Sequence, residues 1–223
     1  MARMDAESPR ELLVDRAYAT LKEQVLDCVL APGQFVSERG IAAEHGFGIA
    51  ATRAALMRLS SEGLMAAVPR VGYQVAPITL RGVVAFFEAW AVIGPEFVKL
   101  AMQRMRPEHR EAIDALNRDP LDRSPEQRIH EADELWRILA DAADNAVFSE
   151  IMERLNRDMH RIFLLSHRHA LPTDGLMTKG ISLNSDPETA RKDAALYIDA
   201  ARRHVLAWLT ETPSIADVQL TFD

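Results

Sequence analysis

The chain has 223 residues, 48% of them hydrophobic and 26% charged, with a net charge of −7 and one cysteine. This composition excludes a disulfide framework and a uniformly basic nucleic-acid binder, and it leaves room for two domains. The most apolar run, residues 82–98, is interrupted by Glu88, Pro95 and Glu96, and no charged-apolar-cleavage pattern opens the chain; the expectation is a cytoplasmic protein with no membrane partner.

Residues 1–10 are polar and unpatterned and read as a disordered arm. Leu13, Ala17, Leu21, Val25 and Val29 then recur at helical spacing, which predicts one long helix from about Leu12 to Leu30, ended by Pro32-Gly33. Cys28 falls within that pattern and reads as a small buried apolar residue. Ser37 is an N-cap for a short helix whose Ile41 and Ala42 share a face, and Gly46 can close it in the left-handed conformation. A second short helix follows over Ala50–Leu59, with Ala55, Leu56 and Leu59 inward and Thr52, Arg53 and Arg58 toward solvent. Glu62-Gly63 stops it. Leu64–Val68 and Tyr73–Val75 flank Pro69-Arg70-Val71-Gly72, a hairpin with an arginine at its tip. This order is a winged helix-turn-helix over residues 11–78, with one helix for the major groove and a basic wing for the adjacent groove.

Charge qualifies that reading. Residues 1–78 carry eight Lys and Arg against nine Asp and Glu, so the domain as a whole is not basic. Within residues 39–78, however, Arg39, Arg53, Arg58 and Arg70 face only Glu44 and Glu62, a local patch that dimerisation would double. The expected result is modest affinity per half-site and strong dependence on salt. The candidate DNA contacts are Arg39, Thr52, Arg53, Arg58, Arg70, Gly72 and Tyr73, with Arg58 equally readable as a solvated surface residue.

From Thr79 onward no strand alternation is visible. Helices read from Thr79 to about Arg106, from Pro107 to Asn117, from a Ser124-Pro125-Glu126-Gln127 capping box to about Ala142, from Asn145 to about His169, from Thr173, and from Asp186-Pro187-Glu188 to about Thr210. The fold class is mainly α: an antiparallel bundle of about six helices over residues 79–212 beside the winged helix, with 213–223 as a C-terminal tail. His160, His167 and His169 lie on one predicted helix without i, i+4 spacing, so they form no metal site among themselves.

Two sets of residues carry a resemblance to a known family. Ala31-Pro32-Gly33, Ser37-Glu38-Arg39, Ile41-Ala42-Ala43, Thr52-Arg53-Ala54-Ala55-Leu56, Leu59, Glu62-Gly63-Leu64 and Gly72-Tyr73-Gln74-Val75 resemble, in order and spacing, the N-terminal pattern of the GntR family of bacterial transcription regulators. Arg39 and Arg53 occupy positions that contact DNA in that family, whereas the Ser-Arg pair opening its recognition helix stands here as Gly48-Ile49. Asp133-x-x-Trp136, Ala142-Ala143-Asp144-Asn145 and Asp186-Pro187-Glu188-x-Ala190 resemble the all-helical FCD effector domain of the FadR-like branch. The resemblance implies a homodimer on an inverted-repeat DNA operator, responding to a small-molecule effector in the bundle centre.

Many such domains hold a divalent metal with one Asp and three His. Asp133 matches, but the other three positions are Arg137, Gly175 and Tyr197, so neither metal nor other cofactor is expected there. The effector pocket is expected to use Trp90, Asp133, Arg137, His160 and Tyr197, favouring an apolar or aromatic ligand. Arg137 has two readings: a fork for an anionic effector, or a structural ion pair with Asp133 at i, i+4. No Gly-rich phosphate loop or nucleophile elbow is present, and no enzyme is expected. The expected function is a ligand-responsive transcription regulator, acting as a repressor; the alternative is a degenerate interaction module lacking effector and specific operator.

Overall fold

The computed structural model describes residues 9–116, 124–169, 183 and 185–211, and its chain divides into two compact units between Thr79 and Leu80. The expected short helix from Thr173, residues 1–8 of the expected arm at 1–10 and the tail at 213–223 lie outside the described residues, whereas Pro9 and Arg10 are not part of an arm but open the first helix.

In the first unit, helix α1 (Pro9–Leu26) is followed by strand β1 (Phe35–Val36), α2 (Glu38–His45), α3 (Ile49–Ser61), β2 (Met65–Val68) and β3 (Gly72–Val75). Ala17, Leu21 and Val25 recur every four residues and are fully buried against Ala55, Leu56 and Leu59 of α3. The helix-turn-helix has its expected punctuation: the Ser37 hydroxyl accepts from Gly40 N–H at 3.0 Å, and Gly46 ends α2 at φ 67°. β2 and β3 form the hairpin, and β1, which the sequence reading did not anticipate, pairs with β3 to give the antiparallel order β1-β3-β2.

Helix α1 ends four residues earlier than its pattern suggested. Asp27 and Cys28 form a turn in which Cys28 has φ 53°, and Val29 is exposed rather than part of the apolar stripe. Cys28 is buried, its Sγ donating to Leu26 C=O at 3.7 Å, but lies outside the helix.

The second unit is built from α4 (Leu80–Arg104), α5 (Pro107–Leu116), α6 (Pro125–Ala143), α7 (Ala146–His169) and α8 (Pro187–Glu211). The capping signals act as the sequence implied. Ser124 and Gln127 form a reciprocal capping box, Asn145 Oδ1 accepts from Phe148 N–H at 3.1 Å, and Asp186 Oδ1 accepts from Glu188 and Thr189 N–H. Helix α4 packs on α8 and α6, and α6 on α7. Gly94 sits where α8 comes close: a Cβ there would lie 2.7 Å from Ile198 Cδ1. The adjacent Pro95 removes one backbone donor inside α4. Both residues are buried in the packed seam.

Candidate functional site

Helix α3 has two opposed faces. Thr52, Ala55, Leu56 and Leu59 are buried, whereas Ile49, Ala50, Arg53 and Met57 are exposed, and these two sets fall on different arcs at about 100° per residue. Thr52 is therefore not a DNA contact: it is 0% exposed, and its hydroxyl has no hydrogen-bond partner among the described residues. Its position in the i, i+3, i+4, i+7 stripe overrides its polarity.

Arg58 also leaves the reading face. It lies about 140° around the helix from Arg53, where Nη1 meets Asp15 Oδ1 at 3.0 Å and the guanidinium sits 3.7 Å from the centre of the Tyr18 ring. Tyr18 in turn donates to Glu62 Oε1 at 2.5 Å, and Lys22 meets Glu62 Oε2 at 3.0 Å. This network ties α1 to α3. Burial pushes the Tyr18 phenol up, and the Glu62 contact pushes it further.

Arg53 remains on the exposed face and is held in a fork. Its Nε lies 3.0 Å from each oxygen of Glu38, and Nη2 lies 2.8 Å from Oε2. The fork holds the Glu38 carboxyl below its usual range. Arg39 is exposed on α2. Gly48 supplies no side-chain cap to α3, and the first turn has no acidic residue, so its N–H groups and positive dipole end are left for an anion.

At the wing tip, Val71 N–H closes a turn on Val68 C=O at 3.1 Å, with Pro69 and Arg70 between them. Arg70 is exposed at φ 66°, a conformation that favours glycine. Gly72 and Tyr73 have structural roles instead of the groove contacts expected of them. A Cβ on Gly72, at φ 131°, would lie 2.4 Å from Val36 O, so the backbone approach it permits is to β1. Tyr73 is buried in the domain core.

In the helical unit, Trp90 is 1% exposed and is surrounded by Phe86, Phe87, Trp136, Phe163 and Tyr197, with ring centroids 5.4–6.4 Å apart. It fills the bundle core and does not line open space. A cavity of about 10 Å³ opens between Ile129, Ala132, Met159, His160, Phe163 and Tyr197, enough for about one water-sized group. Half-buried Tyr197 has its phenol pushed up to about 12 by burial.

Asp133 and Arg137 do not pair. Arg137 turns outward to Glu134, with Nε to Oε2 at 2.8 Å, and is exposed, so the anion fork and the Asp133 ion pair both lose their geometry. Asp133 Oδ2 instead accepts from Nδ1 of buried His160. The His130 ring stacks on that of His160, with centroids 5.6 Å apart. The sequence reading missed His130; its signal was the His130-x-x-Asp133 spacing, which puts both residues on one face of α6.

Comparison with known proteins resolves the class. The model of bacterial regulatory proteins of the gntR family matches residues 13–75, and that of the FCD domain matches residues 85–179. The chain belongs to the gntR family. Its fold is similar to that of E. coli McbR/YncC, with TM-score 0.68 and 17% identity, covering 88% of this chain and 98% of that one. It is also similar to a transcriptional regulator GntR from Rhodococcus sp. RHA1, with TM-score 0.68 and 18% identity, covering 87% and 97%. A transcriptional regulator of the GntR family from Pseudomonas syringae pv. tomato str. DC3000 gives TM-score 0.50 at 15% identity, covering 92% and 91%. No curated protein matches.

A mainly α chain with a winged helix and an all-helical FCD domain is thus the architecture of a DNA-binding, ligand-responsive transcription regulator. No helix among the described residues is long and apolar enough to cross a membrane. As a gntR-family FCD domain it departs from the family's metal set. Arg137 faces outward with Glu134, Tyr197 is an aromatic pocket residue, and Gly175, which has no side-chain donor, lies outside the described residues. Those positions do not fit the family's ion.

Proposed function

We propose that this protein is a cytoplasmic, homodimeric repressor of the FadR-like branch that binds an inverted-repeat operator through α3 and the wing. The observation that carries the reading is the exposed Arg53 on the outer face of α3, paired with Glu38 beside a helix N-terminus free of side-chain caps. Arg39 on α2 and the left-handed Arg70 at the wing tip supply further cations to the same task. A residue kept in a conformation that favours glycine is an observation from which function is reasonably inferred.

The effector is proposed to be apolar or aromatic and to enter beside His160 and Tyr197. A ligand pocket typically needs about 300 Å³ or more, so binding is expected to displace Met159 and Tyr197 and enlarge the cavity. Such a displacement is the differential contact that would couple ligand to DNA affinity.

A second reading is favoured by Ile49 at 44% and Met57 at 60% exposure on the same face of α3. Apolar side chains there suit a protein partner as well as thymine methyl groups. Selection of bound duplexes from a random library, followed by footprinting, separates the two. A two-fold symmetric footprint that disappears in Arg53→Ala supports the regulator; no enriched sequence favours the interaction module.

A further inference from the structure

His130 and Asp133 of α6 and His160 of α7 each present a ligand atom within 4.8 Å of the other two. The set spans two helices: α6 supplies an imidazole and a carboxylate at i, i+3, and the α6–α7 contact brings the second imidazole. Two imidazoles and one carboxylate suit first-row divalent metals, leaving further coordination positions for solvent or an oxygen ligand.

Size and access are compatible with an ion. Donors on one tetrahedral zinc, at bonds of about 2.0–2.1 Å, stand about 3.4 Å apart, so three donor atoms already within 4.8 Å of one another need only local adjustment to share an ion. His130 is exposed and gives an entry path, whereas His160 is buried and fixed by its bond to Asp133. The second oxygen of that carboxylate, Asp133 Oδ1, is buried without a hydrogen-bond partner among the described residues. A buried acceptor in that state is costly, and a cation would satisfy it.

We infer that His130, Asp133 and His160 form a divalent transition-metal site, of the zinc or cobalt class, that shares Asp133 with the family's ligand set but takes its imidazoles from two positions outside that set. The expectation of a metal-free centre was argued from Arg137, Gly175 and Tyr197 and does not reach this cluster. The site is independent of DNA binding and would persist if the regulator reading failed.

The test is titration of the full chain, freed of metal by chelator and dialysis, with Co²⁺ alone and then Zn²⁺ in competition. Visible absorption reports cobalt coordination, and thermal unfolding reports stabilisation by zinc. One Co²⁺ per chain is expected, displaced by Zn²⁺. Loss of even an outer partner of a metal ligand typically weakens binding about 10–100-fold, so loss of the direct ligand in His130→Ala should weaken it at least tenfold and remove the zinc-dependent rise in Tm. His130 is exposed, and unchanged circular dichroism would verify that the variant keeps its fold. Asp133→Asn provides a second variant with the same expected loss. A His167→Ala/His169→Ala variant should bind as the parent does. Equal affinity in His130→Ala and the parent, loss confined to the His167/His169 variant, or no binding of either metal to the parent would overturn the assignment.

Discussion

Replacing Glu38 and Arg53 separately, and then together, isolates the main cation proposed for the reading face. The Arg53–Glu38 fork is exposed on the arginine side, where the side chain is 59% accessible, and an exposed pair of this kind is worth roughly 0.2–1 kcal/mol to folding. A well-placed arginine on a base edge is worth about 1–3 kcal/mol to binding. Arg53→Ala should therefore weaken operator binding about 5–150-fold while costing less than about 1 kcal/mol of stability. Glu38→Gln has the opposite sign for DNA. It releases Arg53 from the fork, so affinity should tighten by about 1.4–5-fold, the equivalent of the lost pair. In the double variant the gain should disappear, because the cation it liberates is absent. Fluorescence anisotropy gives the affinities, and urea unfolding gives the stabilities. Unchanged DNA affinity in Arg53→Ala, or tighter binding by Glu38→Gln that survives the loss of Arg53, would refute the reasoning.

Three further outcomes are expected. Arg58→Ala should cost about 1–2 kcal/mol in urea unfolding, from the Asp15 ion pair and the Tyr18 cation–π contact together, and should affect DNA affinity less than Arg53→Ala does. Arg70→Gly should relieve left-handed strain, raising stability by up to about 1–2 kcal/mol, yet loosen DNA binding and lower its salt dependence. Tyr197 keeps its proton more tightly when folded, with a phenol pushed up to about 12 from 10.0. The stability it contributes is thus complete below pH 10 and is lost as pH rises through about 12. The limit is about 3 kcal/mol, reduced by the partial exposure of the side chain. Tyr197→Phe should remove that component from a pH series of denaturant midpoints, and an unchanged slope between pH 10 and 12 would contradict it.

Local chemistry made much of the fold legible. Ser37, Gly46, the Ser124–Gln127 box, Asn145 and Asp186-Pro187 each act within one turn of their own position, and the structure places a cap or boundary at each. What depended on distant partners was not legible. The turn at Cys28 shortens α1, and the two residues of β1 acquire strand character only by pairing with Gln74 and Tyr73.

The site shows the same division. Arg53 was readable from its place on α3, but its partner Glu38 is fifteen residues away. Arg58 looks like Arg53 in sequence and differs because Asp15 and Tyr18 approach from another helix. Thr52 was misread through its polarity, although its spacing with Ala55, Leu56 and Leu59 already placed it inward. Arg137 pairs with Glu134, while Asp133 meets His160 from α7, a partner that its own helix does not reveal. The His130–Asp133 spacing was visible, but its meaning required the α6–α7 contact.

The central claim is that α3 and the wing read DNA. It is tested most directly by anisotropy titration against the duplex immediately upstream of the protein's own coding sequence and against a scrambled duplex, across a salt series. The account predicts selective binding to the native duplex, read by Arg53, and a linear fall of log affinity with log salt, reflecting phosphate contacts by Arg39 and Arg70 in each protomer. Equal, weak binding to both duplexes would contradict it, and would turn the exposed face of α3, with Gly48, Ile49 and Met57, into the surface for a protein partner.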